Sequence, residues 1–141
     1  MLKTLTRLFT HKSEPRTLIC RRSSSLKNYV VGEASCQKAL SRLAAPKTED
    51  GHHSECQVIF EHEPTNRLDR KAVKATASGQ PIGYLPRHLA DDFHAAMRAN
   101  GTVRAVADGK ICGGRLHLGT GEKQNFRVKV FMKWPPEGEA R

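Results

Sequence analysis

The sequence predicts a mostly β domain with two helices: a partly closed barrel of short strands on which the helices pack. Three observations point there. Segments of alternating apolar and polar residues recur along the chain, separated by glycine, proline or small polar residues, as short half-buried strands are. Two other stretches, around Leu40 and around Phe93, repeat apolar residues at helical spacing. At 141 residues, 38% of them hydrophobic, the chain can bury one core and is too apolar to be disordered throughout.

Taken in order, residues 1–25 read as a basic flexible arm. Lys3, Arg7, Lys12, Arg16, Arg21 and Arg22 face only Glu14 there. Leu2, Leu5, Leu8 and Phe9 suggest a turn or two of amphipathic helix, too short to hold alone in water. A plain flexible arm, a weak contact with an anionic membrane surface and a targeting role are the readings it allows. Ser23-Ser24-Ser25 reads as the linker into a domain over 26–134. Tyr29-Val30-Val31-Gly32 is the first expected strand. Ser35 is placed to cap a helix whose buried face is Cys36, Ala39, Leu40, Leu43 and Ala44. A polar loop over 46–53 follows, and then a strand in which Cys56, Val58 and Phe60 alternate with Gln57, Ile59 and Glu61.

Glu63-Pro64 interrupts the chain, because a residue before proline is pushed out of helical geometry. Asn66 and Asp69 in the next five residues can bond their own backbone and hold a compact turn. Ala72 to Ala77 reads as a strand, Ser78-Gly79-Gln80 as a hairpin connection with Gly79 at positive φ, and Pro81 to Leu85 as the return strand. Pro86 suits the start of a second helix, with Leu89, Phe93, Ala96 and Met97 buried and Asp91 and Asp92 at its positive end. Asn100-Gly101 is a natural stop. Thr102 to Ala107 is a further strand; Gly109, Gly113 and Gly114 mark a hairpin around Ile111-Cys112, with Leu116 and Leu118 on another short strand. Phe126, Val128, Val130 and Met132 alternate in a last strand that Pro135-Pro136 ends, leaving 135–141 as a loose tail. Many short strands and two helices fit an OB-like barrel.

The net charge of +10 favours polyanions, nucleic acid before anionic membrane. Catalysis is not expected. No phosphate-binding glycine loop is present, and no nucleophile and base fall into a familiar spacing. His52-His53 with Cys56 lacks the second ligand pair that a zinc site needs, so neither metal nor cofactor is expected. Cys36 on a helix face reads as a buried, inert thiol. Four scattered cysteines without a C-x-x-C pair, no secretory signal and no long apolar run lead to the expectation of a reduced, cytoplasmic protein.

The stretch from Glu63 to Arg87 also carries a resemblance. E-P-T-N-R-L-D-R-K-A-V-K-A, then G-Q-P-I-G-Y-L-P-R-H-L-A, together with Val30-Val31-Gly32-Glu33, Gln37 and Ala39-Leu40 upstream, is similar to the central pattern of the HIRAN domain. HIRAN is a β-rich module found in helicase-like DNA repair proteins and in shorter, stand-alone bacterial ones. The resemblance spans residues 28 to 100 and implies binding of single-stranded DNA at its 3′ end, without catalysis, beside a helicase or nuclease partner. Carried over by position, Asn66 and Asp69 would meet the terminal nucleotide. Tyr84 and Arg87 would lie on the neighbouring strand-to-helix junction. Read from the residues themselves, an OB-type barrel binds single strands through cations and aromatic platforms, so Tyr84 can stack on a base and Arg87, with Lys71 or Arg70, can hold a phosphate. An aspartate is informative here: it repels a phosphodiester but accepts a hydrogen bond from a free 3′-hydroxyl. Two departures stand out. DNA-binding members carry an arginine and aromatics after V-V-G, where this chain has Glu33-Ala34-Ser35-Cys36-Gln37, and Leu68 replaces a frequent tyrosine. The alternative expectation is therefore a protein-interaction module that kept the HIRAN barrel and lost the DNA-end pocket.

Overall fold

The computed structural model describes residues 16–24, 27–44 and 51–141. Among these residues seven strands form one sheet: β1 (Thr17–Cys20), β2 (His52–His62), β3 (Val73–Ala77), β4 (Gln80–Tyr84), β5 (Arg104–Gly113), β6 (Phe126–Phe131) and β7 (Gly138–Ala140). Two helices accompany them, α1 (Gln37–Ala44) and α2 (Ala90–Asn100), each entered through a 3₁₀ turn, Glu33–Cys36 and Arg87–Leu89. The strand order is β4-β3-β2-β5-β1-β7, with β6 also on β5. One edge of β5 is shared: Arg104 to Val106 run parallel to β1, and Asp108 to Gly113 run antiparallel to β6.

No ladder closes the sheet among the described residues. The chain from Lys27 to Val31 crosses the gap instead. Lys27 exchanges both backbone hydrogen bonds with Val130 of β6, at 3.0 and 2.7 Å, and Val31 does the same with Tyr84 of β4, at 2.7 and 2.8 Å. A partly closed barrel describes this circuit, and the first expected strand, Tyr29 to Gly32, is in fact this seam with one bridge at either end. Between those bridges the β6 edge is covered by side chains. Gln37 Oε1 accepts from the Phe126 N–H at 2.8 Å, and Glu33 Oε2 accepts from the Val128 N–H at 3.0 Å. Unpaired strand edges invite foreign strands, and these two residues leave less edge to pair.

The core lies inside the barrel. Val58, Phe60, Val73, Ala75, Ile82, Ala105, Ile111, Phe126, Val128 and Val130 point into it from the strands, all at most 1% exposed. Leu40 and Ala44 of α1 and Phe93 and Met97 of α2 are also buried. Phe93 meets Phe60 edge-on at 6.5 Å between ring centroids, which fixes α2 against β2.

Several boundaries differ from the sequence reading, each for a local reason. The arm and the tail were expected to be loose over 1–25 and 135–141, yet β1 and β7 lie within them and pair with each other, Leu18 opposite Ala140. Leu18 is fully buried, and Arg22 bonds Asp108 at 2.7 Å while lying 4.0 Å over the Phe131 ring. The flanking arginines masked this strand, since charge dominates the composition there. Gly138 was unreadable for another reason: a Cβ on it would run into the carbonyl of Ile19. Gly109 does not turn the chain either. It sits inside β5, where a Cβ would lie 2.8 Å from Val58 Cγ2 and 3.0 Å from the Lys129 carbonyl, so it is a site of close approach in one ten-residue strand. Leu116 makes a single bridge with Lys123, and Leu118 is 69% exposed. Ser35 is not at a cap position; it lies within the 3₁₀ turn Glu33–Cys36 that precedes α1. Residues 1–15, which hold most of the basic arm, and 45–50 of the polar loop lie outside the described residues, and the loop ends early because β2 begins at His52.

Candidate nucleic-acid interface

The turn between β2 and β3 is built by its own side chains. Asn66 Oδ1 accepts from the N–H groups of Leu68 and Asp69, both at 3.0 Å, and Asn66 Nδ2 donates to Glu63 Oε1 at 2.8 Å. Asp69 Oδ1 accepts from the Lys71 N–H at 3.0 Å. These are Asx-type closures, which spare the turn from seeking backbone partners. The loop is then clamped at its base by Glu63 N–H on the Ala72 carbonyl at 2.8 Å.

The hairpin that follows comes back against this turn. Ser78 and Gly79 both take positive φ, 49° and 76°, which matches the twist of the flanking strands. A β-bulge near Ala75 and Thr76 shifts the register, so that Tyr84 faces Lys74. The Tyr84 hydroxyl donates to Glu63 Oε1 at 2.7 Å and ties β4 to the turn. Two donors on one carboxylate, Tyr84 and then Asn66, hold Glu63 below the ordinary carboxyl range, and the same bond raises Tyr84. Gly83 makes the seam possible. At φ 143° a Cβ on it would sit 2.5 Å from the Val31 carbonyl oxygen and 2.7 Å from Val30 Cγ1.

Between turn, hairpin and the start of α2 lies a pocket of about 240 Å³. Asn66, Asp69, Tyr84 and Arg87 all line it, over an apolar floor that includes Val73, Leu85 and Ala90. Val31 and Leu68 stand at its rim, 41% and 90% exposed. Arg87 Nε lies 3.5 Å from Asp69 Oδ2, with the arginine side chain 75% and the aspartate 22% exposed. Such a pair is worth about 0–1 kcal/mol in water, so Arg87 can change partner at little cost.

Four of the five expected site residues therefore share one concavity, and Lys71 does not. It points to the other side of the turn, 3.2 Å from Asp91. Asn66 is more a builder of the turn than a ligand-facing group, since its amide already makes three bonds. Glu63 was missed by the sequence reading. The order E-P-T-N was its signal, an acid three residues ahead of the turn's asparagine. The positions of the absent arginine and aromatics lie in the turn that covers the β6 edge, where Glu33 and Gln37 are structural.

Cys36 is half-buried rather than buried. Its thiol is raised by that burial and by nearby Glu33, which makes it a poor nucleophile. Burial alone raises Cys20 to about 11. Among the described residues no three His, Cys, Asp or Glu side chains are grouped to hold a metal, and no helix is long and apolar enough to cross a membrane.

Comparison with known proteins adds the family. No curated protein matches the chain significantly. Among solved structures it is similar to the crystal structure of the HIRAN domain of human HLTF, at 16% identity, with 85% of this chain and 82% of that one covered and a TM-score of 0.35. The family model of the HIRAN domain matches residues 39–123, which include the turn and the hairpin that build the pocket. HIRAN domains are DNA-binding modules, and nucleic-acid binding is the function this match supports. Matched by that model over more than half of its length, the chain belongs to the HIRAN domain family.

Proposed function

We propose that the chain binds single-stranded DNA and receives its 3′ end in this pocket, without catalysis of its own, as a module that targets a DNA repair or processing partner. One observation carries the reading: Asp69 Oδ2 and Arg87 lie side by side at 3.5 Å on one small concavity. Asp69 has an oxygen not committed to the turn, able to accept from a 3′-hydroxyl, while Arg87 turns to the adjacent phosphate. A continuous strand would bring phosphate to both and be repelled by the first. The volume, about 240 Å³, falls below the range of about 300–1,000 Å³ usual for small-molecule sites, which suits the tip of a chain.

The test is titration with oligonucleotides bearing a free 3′-hydroxyl or a 3′-phosphate. The free end should bind at least about tenfold more tightly, and both should weaken steeply with salt. Equal affinity for the two ends would remove end recognition. The second reading, a protein-interaction module, is favoured by Leu68 at 90% exposure on the rim, and absence of any oligonucleotide binding at low salt would select it.

A further inference from the structure

The turn that carries Asp69 has a second side. Asp69 faces the pocket already described, and Arg70 and Lys71 face a larger one of about 660 Å³. At the start of α2, Ala90 lines the first pocket and Asp91 the second, so the two adjoin along the ridge of residues 69–71. Arg98 also lines the larger pocket, over Phe93 and Met97, and Val103 lies at its edge, 51% exposed. Among the described residues Arg70 and Arg98 have no carboxylate partner, and Lys71 has only Asp91, with both side chains more than two-thirds exposed. Three cations thus stand against one acid.

The cationic wall is held from below. His62 Nε2 lies 2.7 Å from the Arg70 carbonyl oxygen, and His94 Nε2 lies 2.9 Å from that of Lys71. A carbonyl can only accept, so both rings carry hydrogen on Nε2 and donate. The rings meet edge-on at 4.6 Å between centroids. The pair grips the backbone of the two residues whose side chains wall the pocket, so their positions are set before any ligand arrives. A cationic rim over an apolar floor is the combination that holds a single strand by its phosphates and tolerates its bases.

We infer that this second pocket binds backbone phosphate of the same single strand, on the 5′ side of the terminal nucleotide, as the strand passes over the 69–71 ridge. The direction of the strand rests on the reading of the first pocket given above; the anion site does not. R70A/R98A changes two exposed side chains, and an unchanged urea midpoint would verify that the fold is kept. Wild type should bind a dodecanucleotide with a free 3′-hydroxyl more tightly than a trinucleotide. The double variant should lose about tenfold on the longer one and less than about twofold on the trinucleotide, and its slope of log affinity against log salt should flatten by nearly two. Equal losses on both lengths, or none on the longer, would overturn the inference. So would inorganic phosphate displacing the dodecanucleotide from wild type, which would assign the pocket to a free anion. A 3′-phosphorylated dodecanucleotide separates the two ideas. If it binds wild type as well as the free end does, yet still suffers in the double variant, end recognition fails and this pocket stands. If the free end is preferred and the double variant binds like wild type, this pocket fails alone.

Discussion

Asp69 divides its two carboxylate oxygens between a structural and a chemical task, Oδ1 on the Lys71 N–H and Oδ2 beside Arg87. Asp69→Ala should therefore reduce the preference for a free 3′ end more than it reduces overall affinity, and an equal loss on free and blocked oligonucleotides would contradict that division. Arg87→Ala should weaken binding of both and flatten the salt slope by about one charge; an unchanged slope would exclude phosphate contact by Arg87. Glu63 and Tyr84 make a prediction about stability. Donation from Tyr84 and Asn66 depresses Glu63, so its contribution is full above the ordinary carboxyl value of 4.5 and is lost as pH falls through the folded one. Donation to Glu63 raises Tyr84, so its contribution is full below 10.0 and is lost as pH rises through the folded one. Tyr84→Phe should cost about 1 kcal/mol near neutrality, with the difference in urea midpoint shrinking toward both extremes of pH. The turn was legible in the sequence because Asn66 and Asp69 act on their immediate neighbours. Of the Glu63 clamp only the bond from Asn66, three residues on, left a local signal; the bond from Tyr84 did not, because Tyr84 lies 21 residues away.

At the scale of elements, strands with a local signature declared themselves: β6 and most of β2 through alternation, and β3 through its β-branched content ahead of the Ser78-Gly79 turn. So did the stop of α2, where Gly101 takes φ 63° and donates to the last turn. Elements defined by a neighbour did not. β1 and β7 are four and three residues long and exist through each other and β5. Gly109 reads as a breaker unless the close approach of Val58 is known. The seam between Lys27 and Val31 depends on Gly83 in the same way. Gly83→Ala should cost about 3 kcal/mol by denaturant unfolding, since the new Cβ meets the Val31 carbonyl at 2.5 Å and the backbone is strained for any side chain. A cost below about 1 kcal/mol would show that the seam can move aside.

For the molecule as a whole, the net charge of +10 gives long-range attraction to a polyanion, while the folded turn decides where the strand lies. Fold class and the gathering of Asn66, Asp69, Tyr84 and Arg87 were both within reach of the sequence, since the resemblance and the turn chemistry agree on that stretch. The division of the basic residues around the 69–71 ridge was not, because consecutive residues on a tight turn can face opposite ways and no periodicity records which. The most direct measurement is a map of backbone amide shifts in the labelled protein as an oligonucleotide with a free 3′-hydroxyl is added. The shifts should concentrate at residues 66–72 and at Tyr84, Leu85 and Arg87. Saturable binding that leaves those amides unmoved and shifts another face of the barrel would contradict the account.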